Sequence, residues 1–431
     1  MENTYRVGAL LDGSSLRLEN YSITIGEGHI AGLRRGGDGG RWSRCIAVPG
    51  LIQTHLHLGQ TLFRGMAENR RLLPWLEERI WPLEASHTPD TLAASVIVSL
   101  RELLASGCTG LLDMGTVEGS DVTVDILQRS GIRAIACNAL MDEGPEYIAR
   151  DMDWLVEESA RTRALCGDLV EYGYAPRFAL SCSNELWAWL AADPSVRIRT
   201  THAAEAAGEI ENAAIALEGG NILYLLNRGF TGHGTLLAHC VHLAEGEAAI
   251  LGETGTTVVH CPWTNLRLGS GIADVPSLVS GGVRVCVASD GAPCNNRLDL
   301  AGDLRLAMSL SAVTGSPGGL NGTHWLESVT TRAAEALGFD GVGRLSPGWS
   351  ADMVLIEPTG QEWEELAEVE DPVRTLLELD WPARVRMTMV AGRVLFEDGR
   401  YPALPPLPTS VADARSTVSA RARLLAGPGI P

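Results

Sequence analysis

Between residues 49 and 349 the chain meets one local pattern eight times: a short apolar run, then a segment with helical spacing. The first run ends at His57. The others are Gly110-Leu-Leu-Asp113, Ile132-Arg-Ala-Ile-Ala136, Leu169-Val-Glu-Tyr-Gly-Tyr174, Val196-Arg-Ile-Arg-Thr-Thr201, Leu236-Leu-Ala-His239, Thr256-Thr-Val-Val-His260 and Val283-Arg-Val-Cys-Val-Ala288. Runs this short, apolar and rich in β-branched residues read as buried strands. Eight strand–helix units in roughly 300 residues fit a (β/α)8 TIM barrel better than an open doubly wound sheet, so the expected class is α/β.

The flanks read differently. The first 48 residues alternate as short strands do, as in Tyr21-Ser-Ile-Thr-Ile25, with a turn at Gly26-Glu-Gly28 and a glycine-rich loop from Gly36 to Gly40. A second β-rich stretch lies at Ala351 to Ile356, Val385 to Val390 and Gly392 to Phe396. Neither stretch can form a core alone, so residues 1–48 and 350–408 are expected to pair into one small β-sandwich beside a catalytic barrel of residues 49–349. Beyond Pro402 to Pro408, Val411 to Leu425 reads as a helix within a tail of residues 409–431.

Composition narrows the function. A net charge of −19 repels nucleic-acid phosphates and anionic lipid, so neither a nucleic acid nor a membrane is an expected partner. All 34 basic residues are arginine, which removes Schiff-base chemistry, lysine general bases and carboxylated-lysine metal bridges. Nine scattered cysteines without a CxxC pair read as reduced thiols. No apolar run of about 18 residues and no secretory leader pattern is visible, so a soluble cytoplasmic protein is expected.

In a TIM barrel, chemistry gathers where strands end. His55, His57, His202, His239 and His260 stand at such ends, and Asp290 closes the last run. His55 and His57, two residues apart on a strand, point to one face. Two core histidines satisfied by carbonyls would do so too, but with His202 and a strand-end carboxylate they form a set suited to zinc or iron. Asp290 follows so apolar a run that it is expected to be buried, and because a buried carboxylate without a partner is costly it reads as having a cation beside it, or else as a structural Asp capping the next turn. Glu205, three residues past His202, is placed to sit beside a metal without binding it, or else in the solvated first turn of a helix. His239 faces the rim, and His242 reads as a loop residue.

Together these phrases resemble the amidohydrolase superfamily, in its cytosine/adenosine-deaminase-like branch. The likeness rests on Pro49-Gly-Leu-Ile-Gln-Thr-His-Leu-His57, Thr61 to Gly65, Trp81-Pro-Leu-Glu84, His202-Ala-Ala-Glu205, Ala238-His-Cys-Val-His242, His260 to Leu268 and Ser289 to Asn296. Within the branch the chain looks most like deaminases of 5'-modified adenosines: S-adenosylhomocysteine, 5'-methylthioadenosine and 5'-deoxyadenosine. The resemblance implies one divalent transition metal per chain, zinc before iron, on His55, His57, His202 and Asp290. It implies Glu205 as proton shuttle, with His239 and Asp290 also catalytic. It places Glu84 on the ribose 2'- and 3'-hydroxyls, a pairing that suits a carboxylate with two O–H donors.

Two phrases depart from the pattern. Where many S-adenosylhomocysteine deaminases carry an arginine after the third strand, this chain has Cys137-Asn138-Ala139; Asn138 would then line the substrate site without a charge for an amino-acid tail. After the fourth strand stands Pro176-Arg177-Phe178, a phrase also found in guanine deaminases, so Arg177 reads either as a donor to a purine or as a rim salt bridge. The aromatic segment Leu73 to Pro82 has apolar residues at helical spacing and reads either as a core stripe or as a lid over the purine, with Trp81 against the substrate. The expected activity is hydrolytic deamination of an aminopurine nucleoside by a homo-oligomer. Guanine deamination or triazine-type amino- or chlorohydrolysis at the same site is the alternative, and a metal-free scaffold barrel is the alternative of another class.

Overall fold

The eight apolar runs are the eight strands of one sheet in a computed structural model of the chain, which describes residues 2–37, 39–427 and 429–430. Asp38 of the expected glycine-rich loop, Pro428 and Pro431 of the tail, and Met1 lie outside the described residues. The strands are β1 (Leu51–Leu56), β2 (Cys108–Asp113), β3 (Arg133–Leu140), β4 (Val170–Pro176), β5 (Arg199–Ala203), β6 (Thr235–His239), β7 (Thr257–His260) and β8 (Arg284–Val287). Each pairs in parallel with the next in chain order. The ends of this sheet then meet. Asp290 N–H donates to the His55 carbonyl at 3.3 Å, and Gln53 clasps Ser289 through Nε2 to Oγ (2.6 Å) and through its Oε1, which accepts the Ser289 N–H at 2.9 Å. The sheet is thereby a nearly closed barrel.

Both faces of the strands are dry, which is why they read as unbroken apolar runs rather than as alternation. Ile52, Leu112, Ile135, Leu236, Val259 and Cys286 fill the interior. Residues of opposite parity, such as Leu51, Leu111, Ala134, Leu237 and Val285, pack under the helices. Entry to β1 depends on Gly50, because a Cβ there would stand 2.0 Å from Thr109 Oγ1 on the neighbouring strand.

The chain ends build two further sheets. Asn3–Val7, Tyr21–Gly26 and His29–Arg35 form an antiparallel three-stranded sheet. A six-stranded sheet joins the two termini where Met353–Ile356 runs antiparallel to Ile46–Pro49. Val7, Ile23 and Ile25 meet Met353, Leu355, Met387 and Met389 in one buried cluster.

Two pieces matter for the site. The first is the connection after β1. The helical spacing from Leu73 to Pro82 is not realised as one continuous helix: the chain makes a helical turn at Leu72–Trp75, a wide π turn at Leu76–Ile80 and another helical turn at Trp81–Glu84. Pro82 has no N–H to give to the fourth residue before it, and a wide turn absorbs that missing bond. The second is the C-terminal helix, Val411–Ala426, which lies over this connection. Arg415 Nη1 donates to the Leu62 and Arg64 carbonyls (2.7 and 3.0 Å), Arg421 Nε donates to the Ser86 carbonyl (2.9 Å), and Ala414, Val418 and Ala422 pack with Leu62, Phe63 and Trp81. Among the described residues no helix is long and apolar enough to cross a membrane.

Candidate metal centre and active site

The rim at the C-terminal ends of the strands brings four of the singled-out side chains together. One ligand atom from each of His55, His57, His202 and Asp290 lies within 4.8 Å of all the others. His57 Nε2 is 3.3 Å from His202 Nε2, their rings lying parallel, while Asp290 Oδ1 stands 3.3 Å from His57 Nε2 and 3.5 Å from His55 Nε2. The backbone bends to achieve this. Asp290 (φ 61°), His239 (φ 76°) and Ala204 (φ 49°) adopt left-handed conformations that non-glycine residues rarely accept, all at strand ends on this rim.

Protonation follows from the surroundings. Burial pushes the His55 imidazole down to about 4 and holds His202 well below its ordinary value, so both are neutral near pH 7. Burial alone would raise Asp290, but the His55 and His57 rings against it outweigh that and keep it ionised. His202 Nδ1 donates to the Arg177 carbonyl at 2.6 Å, which turns its Nε2 lone pair to the centre. Among the described residues neither nitrogen of His55 has a hydrogen-bond partner. Lone pairs of neutral imidazoles and a carboxylate converging in a dry site repel one another unless a cation lies between them, so this donor set fits a divalent metal.

Beside it stand the proton-handling groups. Glu205 is buried, not solvated; its Oε2 lies 3.3 Å from His239 Nε2 and its Oε1 accepts from Ser270 Oγ at 3.5 Å. Burial, and then the Asp290 charge, raise its carboxyl well above the usual range. His239 Nδ1 donates to Asn265 Oδ1 at 2.8 Å, so its Nε2 is the nitrogen facing the centre. His242 lies on the loop after β6, with its Nε2 2.6 Å from the Ser270 carbonyl oxygen.

One member of the site was not singled out in the sequence. Glu209 is fully buried, and its Oε1 accepts from the backbone N–H of both Glu205 and Ala206 at 2.9 Å, tying down the turn that carries Glu205. Its Oε2 has no partner among the described residues, and burial, then the neighbouring Glu205 carboxyl, raise the Glu209 carboxyl to about 7. The available signal was a second acid four residues after Glu205, which alone reads as a helix-capping residue.

A cleft of about 410 Å³ opens onto this centre. Asp290, His57, His202, Glu205 and Glu209 line its floor, and Leu72, Trp75, Leu76, Phe178 and Leu268 its apolar wall. The expected substrate-binding residues divide. Arg177 lines the cleft, but it is neither free nor at an exposed rim: Nη1 donates to Glu84 Oε2 at 2.5 Å in a buried pair. Glu84 also accepts from Gln60 Nε2 at 2.9 Å; its two partners face the cleft while Glu84 itself lines a second cavity behind them. Trp81 is a correction. It is buried among Leu62, Leu83 and the C-terminal helix, and Trp75, one and a half turns earlier, faces the cleft instead.

Asn138 is a second correction. It lies inside β3, not after it, and the strand's alternation turns it to the helix layer while Cys137 takes the barrel interior. There its Nδ2 donates to Ser120 Oγ (2.5 Å) and Thr162 Oγ1 (3.2 Å), and its Oδ1 accepts from Tyr172 (3.0 Å). Asn138 therefore says nothing about a charged substrate tail.

Known proteins carry the same architecture. The amidohydrolase family model matches residues 46–395. The chain is similar to the 5-methylthioadenosine/S-adenosylhomocysteine deaminase of Symbiobacterium thermophilum, 33% identical over 381 residues covering 86% of this chain and 85% of that one. It is similar also to the 5'-deoxyadenosine deaminase of Methanothrix thermoacetophila, 33% identical over 82% of this chain and 83% of that one. A zinc-bound adenosine deaminase from Xanthomonas campestris superposes with a TM-score of 0.85 over 97% of this chain and 98% of its own, at 23% identity, and so shares the fold.

Proposed function

The chain belongs to the amidohydrolase family, and from that premise we propose that it deaminates a 5'-modified adenosine by hydrolysis, giving the inosine analogue and ammonia. The single observation that carries this reading is the buried convergence of His55, His57, His202 and Asp290, with the raised Glu205 carboxyl outside the set but opening into the same cleft. A divalent cation held by those four residues would supply Lewis-acid activation of water; three imidazoles and one carboxylate suit zinc, with iron the other ion such donors accept.

The remaining chemistry belongs to the protein. Glu205, protonated in its dry surroundings, donates to N1 of the purine as water adds to C6, and Asp290 takes the proton that the water gives up. His239, oriented by Asn265, presents Nε2 to the incoming oxygen. Passing that proton to the leaving nitrogen, while the C6 hydroxyl gives its own proton back to Glu205, releases ammonia and leaves the 6-oxopurine with both carboxyl groups restored. Glu209 holds the Glu205 turn in place. The apolar wall covers the base, and Trp75 supplies an aromatic face. Arg177 and Glu84 act as a pair: the guanidinium fixes the carboxylate, which meets the ribose hydroxyls from behind the cleft wall.

Ammonia release by the metal-replete protein tests the reading. Turnover is expected with 5'-deoxyadenosine, 5'-methylthioadenosine or S-adenosylhomocysteine and not with guanine. Turnover of guanine alone, or of no aminopurine, would refute it.

A further inference from the structure

We propose that His239, Cys261 and Asp290 form a second position for a soft divalent cation, adjoining the catalytic one, and that its occupation inhibits the enzyme. The proposal rests on the functional reading above in one respect: Asp290 is shared between the two positions.

One ligand atom from each of the three lies within 4.8 Å of the others, and all three side chains are buried. Each arrives from a different strand end: His239 from β6, Cys261 directly after β7, and Asp290 after β8. The two oxygens of Asp290 face different partners. Oδ1 is turned to His55 and His57, whereas Oδ2 lies 3.9 Å from His239 Nε2. A carboxylate so placed can bridge two cations, one on each oxygen.

The other two donors are available. With Nδ1 committed to Asn265, His239 offers only Nε2, and among the described residues that buried atom makes no hydrogen bond. Among the described residues the Cys261 thiol makes only a long contact, 3.8 Å, to the Val259 carbonyl. A nitrogen, a sulfur and a carboxylate oxygen select zinc or cadmium over magnesium or calcium, and the sulfur distinguishes this set from the first one, which has none. Binding would expel the thiol proton to solvent and form a metal–thiolate bond, with no oxidant or reductant involved. That lost proton and the apolar barrel interior around Cys261 make the position the weaker of the two, filled only when metal is in excess.

Inhibition follows from what the ion would occupy. It would take His239 Nε2, the nitrogen proposed to meet the incoming oxygen, and crowd Glu205 Oε2, 3.3 Å from that same nitrogen. Both groups would be withdrawn from the reaction while His55, His57 and His202 kept the first cation.

The test adds cadmium to protein already carrying one equivalent of zinc. Equilibrium dialysis and elemental analysis should find zinc retained and one equivalent of cadmium taken up. An ultraviolet sulfur-to-cadmium charge-transfer band should grow in step with a loss of turnover exceeding about tenfold. Cys261→Ser and Cys261→Ala should keep the turnover seen without cadmium, lose the band and resist inhibition. Persistence of band and inhibition in both variants, exchange of zinc for cadmium without a band, or no second equivalent at all would each overturn the proposal. Because uptake and the band are read without substrate, they report on this position even if the deaminase reading fails.

Discussion

The cleft has two walls of different origin. Its floor is built mostly from residues at or just past the barrel strand ends, while its upper wall comes mostly from the broken helical connection after β1 and the loop after β4, with Leu268 added from beyond β7. On the floor, strand geometry leaves each side chain little choice: His57, Glu205 and Asp290 are almost fully buried, Asp290 sits on a left-handed bend, and His202 is fixed by its hydrogen bond to the Arg177 carbonyl. On the upper wall position depends on side-chain pairing, above all Glu84 with Arg177 and Gln60, and on the C-terminal helix that covers the connection. The floor is thus preformed for chemistry, and the wall is where substrate recognition is set and can be altered.

Separating the two walls by mutation should show this. The largest effect belongs to Arg177→Met. It strands the buried Glu84 carboxylate, and losing one partner of a buried pair costs about 3 to 5 kcal/mol, so thermal stability should drop sharply. Metal content should persist, because His202 is held by the Arg177 backbone carbonyl and not by its side chain. Loss of metal along with stability would mean that floor and wall are one unit.

Next is the pH dependence that Glu209 imposes. Its folded-state value is raised to about 7 from an ordinary 4.5, so between those values the folded protein holds a proton that the unfolded chain has released. The stability gained from that proton is complete below pH 4.5 and is lost as pH rises through about 7. Glu209→Gln, neutral throughout, should gain on the wild type across that window by up to about 3 kcal/mol. Denaturation midpoints of the two proteins that track in parallel from pH 4.5 to 8 would contradict the assignment.

How much of this was legible in the sequence follows the same division. Strand periodicity and strand-end position marked His55, His57, His202, His239 and Asp290, because a parallel barrel fixes which end of a strand faces the cleft. Asn138 is obscured for a related reason: the apolar run reads as ending at Ala136, whereas the strand continues to Leu140, and within a strand parity decides direction. On the connection after β1 no periodic rule applies. Trp75 and Trp81 differ by six residues, and the π turn between them decides which one reaches the cleft. Glu209 was hidden because a buried acid and a capping acid share one pattern.

Two smaller effects sharpen the contrast. Glu84→Ala should lower kcat/KM for a ribonucleoside by about 10 to 150-fold, and for the 2'-deoxy analogue by much less, since a charge-assisted hydrogen bond is worth roughly 1.5 to 3 kcal/mol. Equal losses on both would remove Glu84 from the ribose. Smallest is Arg415→Ala, which releases the C-terminal helix from the Leu62 and Arg64 carbonyls. It should raise KM by roughly fivefold, about 1 kcal/mol, with kcat unchanged; a fall in kcat with KM constant would place the helix in the chemistry instead.

The central claim is that three imidazoles and Asp290 hold one catalytic metal while Glu205 serves the proton without binding that metal. Elemental analysis of purified Glu205→Gln and His202→Ala, each alongside its residual turnover, addresses it most directly. One tightly held metal is expected in Glu205→Gln, with turnover down by about 10² to 10⁴-fold, and neither metal nor turnover in His202→Ala. Equal metal loss in both variants, or full metal in His202→Ala, would contradict it.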